Sequence, residues 1–318
     1  MPALIPLTGQ ISDTERHQWI DAINKARVNC NSQFKVVLIE SLTAEQKHKA
    51  KIAVVADPDP SVLTTLPNLV WIQSLWAGVE NLAGTGIGSQ IKIVRLTDPQ
   101  MAETMAEAVL AWTFYLHRDM PRYRQQQSEK RWQQHELQLP KYLNVTVFGL
   151  GKLGTAAALR LQSNGFTVRG WSNSKKQLEG IACYHGKGGF GEALKQTDVA
   201  VILLPLTNDT SGLFDESALK SLRRGGSIIN FARGPILIEN DLLTCLNSDH
   251  LDHAVLDVFN QEPPDSNHPF WSHNDITMLP HISAPTTIET AAGITSQHID
   301  NYLSTGVIPQ SVDRQRGY

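Results

Sequence analysis

The chain has 318 residues, a length typical of about two domains, and 41% of its residues are hydrophobic, as in ordinary globular proteins. Lys and Arg number 28 against 31 Asp and Glu, and a net charge of −3 without any basic run argues against nucleic-acid binding. No apolar run is long enough to span a membrane, and the first residues lack the pattern of a signal peptide, so neither membrane insertion nor secretion is expected.

The first part of the chain alternates short apolar runs with helical segments. Strands are predicted at Ala3–Leu7, Lys35–Ile39, Ile52–Ala56 and Leu69–Ser74. A helix is predicted from about Asp13 to Val28, with Ser12 and Glu15 as a capping box at its start. This alternation indicates a parallel sheet that is covered by helices.

A long helix is predicted next, because Asp98 can cap it and Pro99 suits its first turn. An apolar stripe recurs at helical spacing and is expected to face the core or a subunit interface: Met101, Met105, Ala108, Trp112 and Tyr115. The polar run Arg122–Glu136 is predicted to continue it as a solvated helix or loop.

A second alternating series begins near Leu143. Its predicted strands are Val145–Phe148, Thr167–Trp171, Val199–Leu204, Ser227–Phe231, Ala254–Val258 and Ile276–Leu279. Helices are predicted at Leu153–Ser163 and Glu239–Asn247, and a last helix from about Ile288 to Leu303. The three cysteines, Cys30, Cys183 and Cys245, are scattered and odd in number, which favours free thiols and a cytoplasmic location.

A glycine turn joins the first strand and helix of this second series. Gly149, Gly151 and Gly154 form a G-x-G-x-x-G pattern, which alone is a weak signal. Here an apolar strand runs into the pattern and an alanine-rich helix follows it, as in a dinucleotide-binding βαβ unit. Gly149 would permit the tight turn, Gly151 the approach of a pyrophosphate, and Gly154 close packing of helix on strand. An ordinary strand–helix turn is the alternative.

The end of the following strand bears on the choice of cofactor. NAD-binding proteins usually carry an acidic residue there for the ribose 2′-hydroxyl. This chain has Trp171, Ser172 and Asn173, followed by Lys175 and Lys176, and no acid. Hydroxyl and ammonium groups would bind a 2′-phosphate, so NADP is predicted, with NAD possible. The alternative is that both lysines are ordinary surface charges.

Several polar residues follow the predicted strands, at the sheet edge where ligands of open parallel sheets bind. Arg233 could hold a carboxylate and polarise a carbonyl through its fork of donors. His281 could deliver a proton, and Glu262 could hydrogen-bond His281 and favour its protonated form. Each has a structural alternative, but together they suit reduction of a 2-oxo acid by hydride transfer to C2.

At these residues the chain resembles the D-isomer-specific 2-hydroxyacid dehydrogenase family, most closely the A-type glyoxylate/hydroxypyruvate reductases. The matching segments are Val147–Gly154, Asn230–Gly234, Leu256–Phe259 with Gln261–Pro263, Pro280–Ile282 and the ending Val312–Tyr318. The resemblance implies two doubly wound α/β domains, with a Rossmann cofactor domain (99–284) inserted in a flavodoxin-like substrate domain (1–98 and 285–318). It also implies a homodimer with the Pro99–Leu116 helix at the interface.

The resemblance implies catalytic roles for Arg233, Glu262 and His281 and no metal. The substrate, a small 2-oxo or 2-hydroxy acid, would contact Arg233, His281 and a carboxylate-binding loop, Trp76, Ala77, Gly78 and Val79. Asp257 would face the nicotinamide carboxamide. The expected cofactor contacts are Gly149, Gly151, Lys152, Leu153, Gly154, Trp171, Ser172, Asn173, Lys175, Lys176, Leu204, Pro205, Thr207, Phe231, Ala232, Asp257 and Ser283.

Two residues depart from the reductase pattern. Asn173 stands where the reductases tend to have Arg, which weakens the prediction of NADP, and Trp76 stands where they tend to have a small residue. An indole there should shrink or reshape the pocket. Other functions also remain open: a dehydrogenase of another small acid within the family, or a nucleotide-sensing, corepressor-like binding protein on the same scaffold.

Overall fold

The structure, a computed structural model, describes residues 2–83 and 87–314. Residues 315–318, part of the ending that is similar to the reductases, lie outside this range. The chain folds into two compact units, one of residues 1–100 with 286–318 and one of residues 101–285. Within the described residues, no helix is both long and apolar enough to span a bilayer.

The first unit contains a five-stranded parallel sheet. Its strands are β1 (Ala3–Gly9), β2 (Phe34–Leu38), β3 (Ile52–Ala56), β4 (Trp71–Ser74) and β5 (Lys92–Val94). They lie in the order β2-β1-β3-β4-β5, which is the flavodoxin-like order. Its helices are α1 (Asp13–Ala26), α2 (Ala44–Lys49), α3 (Pro60–Leu63) and α4 (Glu80–Ala83), and the chain's last helix, α11 (Ile288–Thr305), also lies here.

The predicted capping box of α1 is present, because Ser12 accepts from the Glu15 backbone and the Glu15 side chain accepts from the Ser12 backbone. The helix ends two residues earlier than predicted, where the chain tightens into a 3-10 turn at Arg27–Asn29. Asp98 caps the long helix α5 (Pro99–His117), since its Oδ1 accepts from the Gln100 N–H at 2.8 Å.

The second unit contains a seven-stranded parallel sheet. Its strands are β6 (Asn144–Phe148), β7 (Thr167–Ser172), β8 (Ala182–His185), β9 (Val199–Ile202), β10 (Gly226–Asn230), β11 (Leu251–Leu256) and β12 (Ile276–Met278). The order β8-β7-β6-β9-β10-β11-β12 is the Rossmann order with one further strand. The helices are α6 (Met120–Ser128), α7 (Lys152–Ser163), α8 (Gly186–Leu194), α9 (Glu216–Lys220) and α10 (Glu239–Asn247).

The two faces of this sheet are each buried under a separate hydrophobic cluster. Along β9 the side chains alternate between them: Ala200 and Ile202 belong to one cluster, while Val199 and Val201 belong to the other. Burial on both faces explains the nearly continuous apolar runs in the sequence. The prediction of two doubly wound parallel sheets is confirmed.

Several element boundaries differ from the predictions. The strands predicted at Val199–Leu204 and Ala254–Val258 end at Ile202 and Leu256, so the following residues belong to loops at the sheet edge. The polar run Arg122–Glu136, which was predicted as a helix or loop, is helical as far as Ser128, where α6 ends. The rest of the run is a loop, and regular structure resumes at Pro140.

Candidate active site

The glycine turn after β6 is determined by close backbone packing. Gly149 has a φ of +111°, which disfavours any residue with a side chain. A Cβ there would lie 2.5 Å from the carbonyl oxygen of Leu203. A Cβ on Gly154 would lie 1.7 Å from the carbonyl oxygen of Gly149 itself. Neither position accepts a side chain without moving the start of α7 away from the sheet.

Gly151 plays a different part in the same turn. It is the N-cap of α7, and a Cβ added to it would project into open space. The protein therefore leaves space next to Gly151, in front of the backbone N–H groups of Lys152, Leu153 and Gly154. These N–H groups have no acceptor inside the helix. A cradle at a helix N-terminus, which a Cβ would partly fill, fits the pyrophosphate of a dinucleotide.

The end of β7 carries the residues that were predicted to select NADP. Ser172 is buried and its hydroxyl donates to the Ser174 carbonyl at 2.8 Å. Asn173, Lys175 and Lys176 are exposed, and neither lysine forms an ion pair with any other residue that the structure describes. No acidic side chain occupies this strand end, so its charge suits an added phosphate group.

The loop after β9 holds Leu204, Pro205 and Thr207. Thr210 organises this loop, since its hydroxyl donates to the Pro205 carbonyl at 2.6 Å and accepts from the Thr207 N–H at 2.8 Å. The Thr207 hydroxyl lies 3.0 Å from that of Thr210. Sequence reasoning missed Thr210, although the spacing T-x-x-T with both hydroxyls in one turn could have indicated it.

Asn230 fixes the segment that carries Arg233. Its side chain is buried, accepts from the Ala232 N–H at 3.1 Å and donates to the Arg233 carbonyl at 3.1 Å. The Arg233 guanidinium donates through Nη1 to the Ala232 carbonyl at 2.6 Å. Phe231 and Ala232 thus form a rigid turn after β10, and Asn230 is a positioning residue that was not predicted.

Gly234 brings the Arg233 segment onto the loop that carries Glu262. A Cβ on Gly234 would lie 2.1 Å from the carbonyl carbon of Phe259 and 2.5 Å from the Asn260 nitrogen. The two backbones are therefore in direct contact. The sequence motif around Arg233 requires glycine at this position for that reason.

Glu262 and His281 form a hydrogen-bonded pair. The Nδ1 atom of His281 lies 2.7 Å from Oε2 of Glu262, and Oε1 of Glu262 accepts from the Phe259 N–H at 3.0 Å. The side chains are partly open to solvent, with exposed fractions of 53% for His281 and 37% for Glu262. The pair can thus donate a proton to a ligand at this edge of the sheet.

Asp257 holds the turn that begins at His281. Its buried carboxylate accepts from the Ile282 N–H at 2.7 Å and from the Ser283 N–H at 2.8 Å. His281 has a φ of +55°, the left-handed region, which an L-residue adopts at an energetic cost. The carboxylate stabilises this conformation by tying down the two following residues. Asp257 was predicted to end a strand and lies instead directly after β11.

The predicted carboxylate-binding loop lies in the first unit, after β4. The Ser74 hydroxyl accepts from the Trp76 N–H at 3.0 Å, and the indole of Trp76 packs edge-on against Trp19 at 6.0 Å between ring centroids. Trp76, Ala77 and Gly78 are partly exposed and Val79 is buried. The loop therefore offers backbone and one large aromatic side chain to solvent.

A buried polar network supports the end of β4, from which this loop starts. Gln73 is fully buried, and its Nε2 donates to the Ser74 carbonyl at 2.9 Å. Its Oε1 lies 2.8 Å from Nδ1 of His298, on α11. Burial lowers the pKa of His298, so the imidazole is neutral near pH 7 and donates from Nδ1. The network fixes the end of β4 from which the loop starts.

The seven-stranded sheet thus brings together the glycine turn, Arg233, Asp257, Glu262 and His281 at the carboxyl ends of its strands. Within the part of the chain that the structure describes, no group of three or more His, Cys, Asp or Glu side chains is placed to hold a metal ion. The arrangement suits a bound dinucleotide next to a cation and a proton donor.

Comparisons with known proteins agree with this chemistry. Residues 110–283 match the sequence model of the D-isomer specific 2-hydroxyacid dehydrogenase, NAD binding domain. Glyoxylate/hydroxypyruvate reductase A of Yersinia enterocolitica is 33% identical over 312 residues, covering 96% of this chain and 97% of the reductase. The protein of that name from Photorhabdus laumondii is 34% identical over 312 residues, covering 95% of this chain and 96% of its own.

Two solved structures are similar over the whole length. A D-isomer specific 2-hydroxyacid dehydrogenase from Xanthobacter autotrophicus, in complex with NADPH and MES, has a TM-score of 0.91 at 31% identity, with full coverage of both chains. An NADPH-dependent glyoxylate/hydroxypyruvate reductase from Sinorhizobium meliloti, in complex with NADP and sulfate, has a TM-score of 0.88 at 27% identity, covering 99% of this chain and 100% of that one.

Proposed function

Because this chain belongs to the D-isomer-specific 2-hydroxyacid dehydrogenase family, we propose that it is an NADPH-dependent reductase of small 2-oxo acids such as glyoxylate and hydroxypyruvate. The observation that carries the proposal is the Glu262–His281 pair, 2.7 Å apart. It lies on the same sheet edge as the glycine turn and as Arg233. A site that only sensed nucleotides would need no such proton donor.

The proposed chemistry divides among three side chains. Arg233 binds the substrate carboxylate and polarises the C2 carbonyl. The bound nicotinamide would supply the hydride that adds to C2, while the carbonyl π electrons move to oxygen. His281 donates its proton to that oxygen, which gives the 2-hydroxy acid, and Glu262 stabilises the imidazolium before transfer.

The preference for NADPH rests on the acid-free end of β7. Ser172, Asn173, Lys175 and Lys176 offer hydroxyl, amide and ammonium donors to a 2′-phosphate and no carboxylate that would repel one. Two of the similar structures were solved with NADPH or NADP. NAD would bind the same turn without these contacts.

Trp76 is proposed to restrict the size of the substrate. We propose that the loop Trp76–Val79 of the first unit binds the substrate carboxylate, and within this unit the indole of Trp76 packs edge-on against Trp19. Glyoxylate and hydroxypyruvate are small enough to fit beside the ring. Trp76→Ala should raise kcat/KM for a bulky acid such as phenylpyruvate relative to glyoxylate; an unchanged ratio would remove Trp76 from the pocket.

We also propose a homodimer. Apolar side chains are exposed on the segment between α6 and β6: Trp132 is 97% exposed, Tyr142 63%, Leu137 55% and Leu139 53%. The segment is anchored by the His135 N–H, which donates to the Tyr123 hydroxyl at 3.0 Å. An exposed surface of this kind is typical of subunit contacts. Sedimentation velocity should give the mass of a dimer; a monomer at micromolar concentration would contradict this.

A cytoplasmic location is proposed from the cysteines. Cys30, Cys183 and Cys245 are all free thiols, as is usual in reducing compartments. Fractionation of the producing cell, with the chain followed by an antibody, would check this.

The proposed function is tested by a panel of 2-oxo acids with NADPH and NADH, followed by absorbance of the reduced nicotinamide. We expect oxidation of NADPH with glyoxylate and hydroxypyruvate, and lower kcat/KM with NADH. Tight NADPH binding without turnover of any acid would favour the nucleotide-sensing alternative. Turnover with a different small acid alone, such as phosphite or formate, would keep the family and change the substrate.

A further inference from the structure

A second carboxylate–histidine pair lies behind the loop that carries Glu262. Glu239 is the first residue of α10, and His268 precedes the short 3-10 turn Pro269–Ser272. The Nε2 atom of His268 is 3.3 Å from Oε2 of Glu239. Because Nδ1 of His268 accepts from the Phe270 N–H at 3.4 Å, Nε2 carries the hydrogen that Glu239 accepts.

This pair is connected to the catalytic pair through two successive peptide groups. Oε1 of Glu239 accepts from the Asn260 N–H at 3.3 Å. The preceding residue, Phe259, donates its N–H to Oε1 of Glu262 at 3.0 Å. Two carboxylates from different parts of the chain therefore bind neighbouring N–H groups of one loop.

The same peptide is in contact with the Arg233 segment. Gly234 packs directly on the Phe259 carbonyl carbon and the Asn260 nitrogen. A shift of this peptide away from Glu239 would therefore change the position of Glu262 and the support of Arg233 together.

The second pair is partly shielded from solvent. The side chains of His268 and Glu239 are 22% and 21% exposed, and the His268 ring packs on the buried Phe270 at 4.5 Å between centroids. Partial exclusion of water strengthens a hydrogen bond to a carboxylate. Neither side chain takes part directly in the chemistry assigned to Arg233, Glu262 and His281.

We propose that Glu239 and His268 are positioning residues, which hold the Phe259–Asn260 peptide against Gly234 and thereby keep the Glu262 carboxylate on His281. The proposal rests on the proposed reductase function. It adds to the active site two residues that contact neither substrate nor cofactor.

The test compares Glu239→Ala, His268→Ala and Glu239→Gln with a matched control, Asp275→Asn. Asp275 and His273 form another carboxylate–histidine pair in the same unit, with 4.0 Å between Oδ2 and Nδ1. This pair precedes β12, whereas the catalytic edge lies at the other end of that strand. For each variant, kcat and KM for NADPH and glyoxylate are measured, together with the melting temperature.

We expect kcat of Glu239→Ala to fall by up to about 100-fold, the effect that a misplacement of about 1 Å at the reacting groups can have, while KM for NADPH stays constant. His268→Ala should change in the same direction. Glu239→Gln, which keeps an oxygen for the Asn260 N–H, should recover part of kcat, and Asp275→Asn should match the wild type.

A normal kcat in Glu239→Ala, or a fall that Glu239→Gln does not partly recover, would overturn the proposal. If the wild type reduces no 2-oxo acid, the proposed function fails and the inference is judged separately by NMR. The His281 Cε1–H signal, identified by its loss in His281→Gln, should move in Glu239→Ala and stay in place in Asp275→Asn. A signal that stays in place in Glu239→Ala would overturn the inference.

Discussion

The glycine turn after β6 and the catalytic edge after β10, β11 and β12 lie at the same end of one sheet, yet they are built in opposite ways. In the turn the proposed binding group is the backbone, and side chains must be absent because Gly149 and Gly154 are in contact with neighbouring carbonyls. At the catalytic edge the proposed reacting groups are side chains, and carboxylates hold the backbone that carries them. Substitutions in the glycine turn should therefore abolish nucleotide binding, whereas substitutions at the catalytic edge should lower turnover to different extents.

Gly154→Ala should have the largest effect. Its Cβ would meet the Gly149 carbonyl oxygen at 1.7 Å, and relieving such an overlap costs about 1–3 kcal/mol of stability or more. We expect a lower melting temperature and no detectable NADPH binding by nucleotide fluorescence. Gly188→Ala, on α8, is the control, because a Cβ there meets nothing within 4 Å. A Gly154→Ala protein that binds NADPH normally would contradict the packing argument.

Arg233→Ala should leave the nucleotide site intact and strongly reduce turnover. Loss of the cation that holds the carboxylate and polarises the carbonyl should lower kcat/KM for glyoxylate by about 10³-fold. Titration with NADPH should give the wild-type Kd, which separates the two regions. Near-normal turnover would exclude Arg233 from the site.

Glu262→Gln should have an intermediate effect. The variant removes a negative charge 2.7 Å from Nδ1 of His281 but keeps a group of the same shape. We expect kcat to fall by up to about 100-fold, because the amide no longer offers a charged acceptor that holds the His281 ring in place. A normal kcat in Glu262→Gln would show that the charge of the carboxylate is not needed.

Lys175→Ala and Lys176→Ala should have the smallest effects. Both side chains are exposed, so loss of one contact to a 2′-phosphate should raise KM for NADPH by about tenfold and leave KM for NADH unchanged. Lys195→Ala, a surface lysine paired with Glu192, is the matched control. Equal changes with both nucleotides would mean that the lysines do not select NADP.

The two regions also differ in how far the sequence predicts them. The glycine turn could be predicted because its requirements, a positive φ at Gly149 and close packing at Gly154, are local and only glycine meets them. The supports of the catalytic edge could not. Glu239 and His268 act on the N–H of Asn260 from distant parts of the chain, and no spacing reveals such a contact.

Long-range contacts also explain why the strand β8 and the helix α8 were not predicted. The edge strand β8 is only partly buried, and α8 contains four glycines, so neither pattern nor propensity indicated them. They form because Phe190 packs against Trp171 at 5.2 Å and against Phe148 at 5.6 Å between ring centroids. Tertiary packing here overrides a poor local sequence.

The central claim is that the residues Arg233, Glu262 and His281 make the bound nucleotide a hydride donor to C2 of a 2-oxo acid. The most direct measurement uses the two diastereomers of NADPH that carry deuterium at C4, with glyoxylate as substrate and mass spectrometry of the product. We predict that one diastereomer gives glycolate with a single deuterium at C2 and that Arg233→Ala gives almost none. Glycolate without deuterium from either diastereomer, or no glycolate at all, would contradict the account.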